Sequence, residues 1–141
     1  MKVKFKKLHE KAVLPQYAKT GDAGLDLTPV NVDVIGSQYH CQFGLSVEIP
    51  QGHVGLIFPR SSICKTSYLL SNAVGVIDSG YRGEVKAVFN NQPSMPHKFY
   101  DNDVPVAQMI ILPYPAIEPE WADTLSQSER GEGGYGHTSN I

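Results

Sequence analysis

Apolar and polar residues alternate along this chain in short runs with a period of two. Val30, Val32 and Val34 alternate strictly with Asn31 and Asp33, which sets the valines on one face of an extended strand. Val3, Phe5 and Leu8 open an earlier run, and Gln42–Ile49, His53–Phe58 and Val106–Leu112 supply three more. Two further runs, about Val74–Ile77 and Val85–Phe89, flank a polar turn of Asp78, Ser79, Gly80, Tyr81, Arg82 and Gly83. Glycines permit the positive φ angles of tight turns, so this pair predicts a β-hairpin. Punctuation falls at Gly21, Gly24, Gly36, Pro50-Gln51-Gly52, Pro93, Pro96, Pro113 and Pro115. No segment keeps a helical period between caps. Ala107–Leu112 is bracketed by Pro105 and Pro113, and its β-branched residues favour a strand. The pattern predicts an all-β, jelly-roll-like sandwich in one domain spanning residues 1–126. After Leu125 apolar residues almost vanish and Ser, Gly and Glu take over, so residues 127–141 read as a mobile Gly-rich arm.

Composition changes this picture in three places. At 141 residues the chain can bury a real core, yet it is small enough to gain from oligomerisation. A net charge of −2 offers no global steering toward nucleic acid or an anionic membrane, so a polyanionic ligand must be held by a few local cations. The arginines are three, Arg60, Arg82 and Arg130, each in a segment taken up below. The lysines of Lys2–Lys7 alternate with Val3 and Phe5 and read as the solvated face of an edge strand. With no apolar signal segment and no run long enough to span a membrane, a cytoplasmic protein is expected (host cytoplasm, were the source viral). Cys41 and Cys64 match no metal-ligand spacing, and reduced thiols are expected rather than a disulfide.

Five segments concentrate chemistry. In Tyr17–Leu27 (YAKTGDAGLDL) a small-residue loop leads to Asp26, set between two leucines where a carboxylate, if buried, needs a partner; the plain alternative is a turn cap. Pro59-Arg60-Ser61-Ser62 ends an apolar strand with a guanidinium fork and hydroxyl donors suited to phosphate oxygens, although a lone arginine more often pairs with a surface carboxylate. Asn72, ahead of the Asp78 turn, carries an amide that can both donate to and accept from a base edge. Gln108 in Asp103–Leu112 (DVPVAQMIIL) is an amide among apolar neighbours and must find partners. Arg130–Ser139 (RGEGGYGHTS) formally satisfies G-x-G-x-x-G, but no strand precedes it and no helix follows, so the dinucleotide reading fails; no P-loop lysine is present either.

Taken in order, these segments resemble the five signature motifs of the trimeric dUTP pyrophosphatases (dUTPases), over Tyr17 to Ser139. The departures are Ser62 for the usual Gly, Gly80 for an acidic residue, Asn102 for Gly and Val104-Pro105 for the residues before the fourth motif's apolar run, and Tyr135 for the commoner Phe. The resemblance implies hydrolysis of dUTP to dUMP and pyrophosphate, with water attacking the α-phosphorus. It implies Asp78 as the base, Asp26 as support behind the catalytic site that helps order its water and metal, and Arg60, Ser61 and Ser62 on the triphosphate. Asn72 would read uracil, Tyr81 would pack against deoxyribose and exclude a 2′-hydroxyl, and Gln108 would orient phosphate or water. Arg130 would clamp the γ-phosphate, Tyr135 would stack on uracil, and His137 and Thr138 would donate to phosphate oxygens. Mg²⁺ would be the cofactor, held mainly by substrate phosphates with water-mediated help near Asp26 and Gln108. A homotrimer is implied in which each site draws on three copies. Arg82 and Glu84 are read as structural, an ion pair at a subunit boundary.

Two alternatives stand beside it. A dCTP deaminase of the same fold carries a catalytic Glu on the strand after the central turn, where Val85–Asn91 has no carboxylate. A non-catalytic nucleotide-binding or regulatory protein would not need Asp78, Tyr81, Arg130 and Tyr135 together.

Overall fold

A computed structural model describes residues 1–91 and 103–136. The turns at Pro93 and Pro96, Asn102, His137 and Thr138 lie outside the described residues. Among the described residues ten strands run in chain order: β1 (Lys4–Lys7), β2 (Leu25–Leu27), β3 (Asn31–Ile35), β4 (Gln38–Gln42), β5 (Leu45–Glu48), β6 (His53–Pro59), β7 (Tyr68–Leu70), β8 (Gly75–Ile77), β9 (Lys86–Asn91) and β10 (Ala107–Pro113). A 3₁₀ turn, Ser61–Lys65, follows β6.

The ladders among these strands are all antiparallel. One four-stranded sheet has the order β2-β10-β6-β8, the second has β3-β4-β9-β7, and β1 pairs with β5. Alternate residues of both sheets meet in one core: Leu27, Ile57 and Met109 from the first, Cys41, Ala87 and Phe89 from the second, with Phe43, Val47 and Val85 between them. Tyr68 packs edge-on against Tyr39 at 5.1 Å between ring centroids. The chain is all-β, as its alternation predicts, and β1 is the lysine-faced edge strand, with Lys4 Nζ 3.4 Å from Glu48 Oε1.

Two expectations require correction. Val74–Ile77 and Val85–Phe89 do not pair with each other: β8 joins β6 in one sheet, and β9 joins β4 and β7 in the other. The polar segment between them is a crossing from sheet to sheet. Alternation shows which face of a strand is buried but carries no information about its partner. Gln42–Ile49 is likewise two strands, broken at Gly44, whose φ of +63° turns the chain out of the β4 ladder and into β5. Gly44 also lies against His9 and Val30, where a Cβ would collide. The last ladder ends at Pro113; Ile117, Trp121 and Leu125 beyond it are almost fully exposed.

Both cysteines are free, Cys41 buried and Cys64 exposed. Burial pushes the Cys41 thiol up to about 12, which removes its reactive thiolate at ordinary pH. A thiol reagent at mildly alkaline pH should therefore modify Cys64 alone in the native protein and Cys41 only after denaturation. Labelling of two thiols without unfolding would contradict the packing around Cys41.

Candidate active site

The site is built from strand ends. β10 lies between β2 and β6, in a register that sets Gln108 opposite Asp26 on one side and Phe58 on the other. The Asp26 backbone N–H donates to the Gln16 carbonyl at 2.9 Å, tying the loop ahead of β2 to the strand. Arg60 follows β6 directly, and its Nε donates to Asp26 Oδ1 at 2.9 Å; both side chains are mostly buried. The partner that the position of Asp26 demands is therefore Arg60. Arg60 Nη1 also reaches the Pro105 carbonyl, at 3.5 Å. Gln108 Nε2 donates to the Pro59 carbonyl at 3.0 Å, which satisfies the amide. Its other end lies over Gly24, where a side chain would meet the amide oxygen and oblige Gln108 to move.

These contacts frame an open pocket of about 280 Å³ lined by Asp22, Gly24, Asp26, Arg60, Ser61 and Gln108. Asp22 is held by the Lys19 N–H, which donates to its Oδ2 at 2.9 Å. One guanidinium, a hydroxyl and the start of a 3₁₀ turn face the same space, a donor set that suits an oxyanion. Asp26 fixes the guanidinium through Nε, an arrangement that aims the rest of the fork rather than consuming it. Ser62 lies in the same 3₁₀ turn.

The other predicted residues lie elsewhere. Asp78 follows β8, whose register sets Ile77 opposite Gly55, so the carboxylate falls beside the start of β6. Arg60 stands six residues further along that strand, about 20 Å away at an ordinary strand rise. Tyr81 donates its hydroxyl to the Glu84 carbonyl at 2.9 Å, and its ring lies against Gly83. Asn72 lines a different pocket, with Gln38, His40 and Lys86. Arg130 bonds back to its own loop, Nε donating to the Gly133 carbonyl at 3.0 Å, and Tyr135 is fully exposed.

Within one chain Arg82 and Glu84 do not pair with each other. Arg82 Nη1 donates to the Ser79 and Tyr81 carbonyls at 2.7 and 2.9 Å, closing the Asp78 turn. Glu84 instead accepts from the Gly44 N–H at 3.1 Å and stands 3.5 Å from Lys86. The Arg82 guanidinium is thus turned back onto its own loop while the Glu84 carboxylate faces the Gly44 bend. The sequence pattern passes over Asp22, drawn in by its loop, and His53, which lines the Asp78 pocket.

The described residues form a small antiparallel sandwich with a carboxylate-braced arginine at a strand end. The dUTPase family model matches residues 10–139. The deoxyuridine 5'-triphosphate nucleotidohydrolase of Clostridium acetobutylicum is 39% identical over 96% of this chain and 95% of its own. The chain belongs to the dUTPase family. Solved structures that share the fold include two from phages of staphylococci. The dUTPase of Staphylococcus bacteriophage 80alpha, with dUPNHPP, has a TM-score of 0.84 at 24% identity and covers 99% of both chains. A mutant dUTPase from phage phi11 of S. aureus, described with a structural Mg(II) ion, has a TM-score of 0.74 at 22% identity and covers 88% of this chain and 98% of its own.

Replacing Asp26 with Asn removes the charge that anchors Arg60 while keeping shape. The loss should cost about 1 kcal/mol of stability and lower the thermal midpoint by roughly 2–4 °C. An unchanged melting curve would mean that the pair contributes nothing to holding β2 against the end of β6.

Proposed function

We propose that the protein hydrolyses dUTP to dUMP and pyrophosphate, a reaction that keeps uracil out of DNA and supplies dUMP. The observation that carries this reading is the oxyanion pocket in which Asp26 aims Arg60, in a chain of the dUTPase family. Arg60, Ser61 and Ser62 hold the triphosphate, joined by Arg130, His137 and Thr138 from the arm. Asp78 takes a proton from water, whose oxygen attacks the α-phosphorus. Asn72 reads the uracil edge, and Tyr135 stacks on its face. Tyr81 is held at its hydroxyl by the Glu84 carbonyl, so its ring forms a fixed wall for the sugar. β9 carries no carboxylate, which leaves a deaminase without its acid.

The oxygens of Asp22, Asp26 and Gln108 are the hard donors that Mg²⁺ takes. Asp26 is already engaged by Arg60, and the described residues hold no group of three or more His, Cys, Asp and Glu able to bind an ion. The set fits Mg²⁺ that substrate phosphates would chiefly hold, and Asp26 and Gln108 would reach it through water. The chemistry expected of it there is neutralisation of the charge on the phosphates.

The separation between Asp78 and Arg60 supports a site completed by other copies in a homotrimer. So does the tail. Ile117, Trp121 and Leu125 stand in water, forfeiting about 1.5–3 kcal/mol each relative to burial. Residues 114–136 carry five acids and one arginine, whereas residues 1–11 carry five lysines and one acid. An apolar groove walled by Phe5, Val13, Leu14 and Leu45 and rimmed by Lys6 and Lys7 matches that tail in both respects. The arm of one copy laid over another would bring Arg130 and Tyr135 to a neighbour's site.

Pyrophosphate release should be seen with dUTP and Mg²⁺ and be weak with dCTP, dTTP and UTP; equal turnover of UTP would refute the role of Tyr81. Asp78→Asn should lower turnover by about 10²–10⁴, and near-normal turnover would remove Asp78 as the base. Refolding Asp78→Asn and Arg60→Ala proteins together should restore activity that neither has alone. Sedimentation as a monomer, or no recovery on mixing, would argue for a site within one chain.

A further inference from the structure

We propose that His53 is a positioning residue for the attacking water, orienting it against Asp78. The inference rests on the reading of Asp78 as the base. His53 opens β6 opposite Pro113 and lies half-buried. With Val54, Asp78, Ser79 and Tyr114 it walls an open pocket of about 250 Å³.

One contact sets the chemistry of the ring. His53 Nδ1 lies 3.3 Å from the Gln51 carbonyl oxygen. A carbonyl only accepts, so Nδ1 carries the hydrogen, and in the neutral ring Nε2 is left as a bare acceptor. The backbone around it is braced: the His53 N–H donates to the Pro50 carbonyl at 3.1 Å, and the Tyr114 N–H donates to the Gly52 carbonyl at 3.0 Å. The ring therefore sits on a tied strand end, its tautomer fixed by the main chain.

The Asp78 carboxylate is also an acceptor only. A pocket walled by two acceptors suits a molecule with two hydrogens on one oxygen. Water donates one O–H to Asp78 and the other to His53 Nε2, which leaves an oxygen lone pair for phosphorus. Asp78 takes the first proton and becomes the carboxylic acid; the second O–H stays with the nucleophile, pinned by Nε2. The new bond forms between that oxygen and the α-phosphorus, the bond to the bridging oxygen breaks, and pyrophosphate leaves with its electron pair. The proton on Asp78 passes to solvent when products depart.

A protonated imidazole would donate from both nitrogens and turn the water away. Asp78 and Tyr114 are the other titratable side chains lining this pocket. Turnover in the wild-type protein should therefore fall on the acid side for two reasons, protonation of the base Asp78 and protonation of His53.

The test compares kcat and KM for dUTP, across acid to neutral pH, in His53→Phe, His53→Gln and Asp78→Asn proteins whose melting curves show them folded. His53→Phe should lower kcat about tenfold, the worth of one oriented hydrogen bond, with little change in KM. His53→Gln, whose amide oxygen still accepts, should recover most of that loss and should lose the His53 share of the acid limb, keeping only the share that protonation of Asp78 imposes. A purely structural histidine would not give rescue and a changed pH profile together. Wild-type kcat in His53→Phe, no recovery in His53→Gln, or a pH profile in His53→Gln identical to that of the wild type would each overturn the proposal. Collapse of Asp78→Asn beside an unaffected His53→Phe would reject His53 alone; full turnover of Asp78→Asn would reject the base and this inference with it.

Discussion

β6 is hydrogen-bonded on both sides, to β10 along its whole length and to β8 over its middle residues, Gly55 to Ile57. Because it is held on both sides, it cannot shift register without moving either neighbour to the wrong face. The chemistry of the chain hangs from its two ends. At one end, the Gln108 amide caps the Pro59 carbonyl, and the Asp26–Arg60 pair fastens β2 to the residue after the strand. At the other, Asp78 leaves β8 beside Val54 and His53. The strand works as a spacer between the Arg60 pocket and an end carrying a carboxylate.

A spacer of that length has a consequence for assembly. One chain holds the oxyanion pocket and the Asp78 carboxylate too far apart for a single reacting centre. The protomer also leaves large apolar side chains in water along a tail whose charge opposes that of its own first strand. Both features would have the same remedy in the proposed homotrimer, where catalysis and association would rest on the same contacts. A carboxylate that aims an arginine in place, and a histidine whose tautomer the main chain sets, are ways of building geometry before any ligand arrives.

Much of the fold was legible because burial leaves a period in the sequence. The alternation over β3, β6 and β10, the Pro and Gly boundaries and the lysine-faced β1 all follow from the need to hide one face of each strand. The arrangement around Arg60 was legible for a different reason. Arginine beside consecutive serines at a strand end, and a carboxylate between leucines, are unusual enough to suggest partners before any are seen.

Pairing was not legible. The runs on either side of the Asp78 turn have equal claims to be a hairpin by alternation alone, and only the competition of β6 and β4 for their edges sent them to different sheets. Gly44 reads as an ordinary strand residue until the chain must change sheets there. The separation of Arg82 from Glu84, and the approach of His53 to Asp78, likewise depend on segments far apart in the chain. The sequence by itself determined the strand class, the buried face of most strands and the kinds of chemistry carried, since these follow from local periodicity and residue type. Tertiary structure decided which strand lies beside which, and hence which charges meet, because backbone hydrogen bonds are alike at every position and only long-range packing chooses among them.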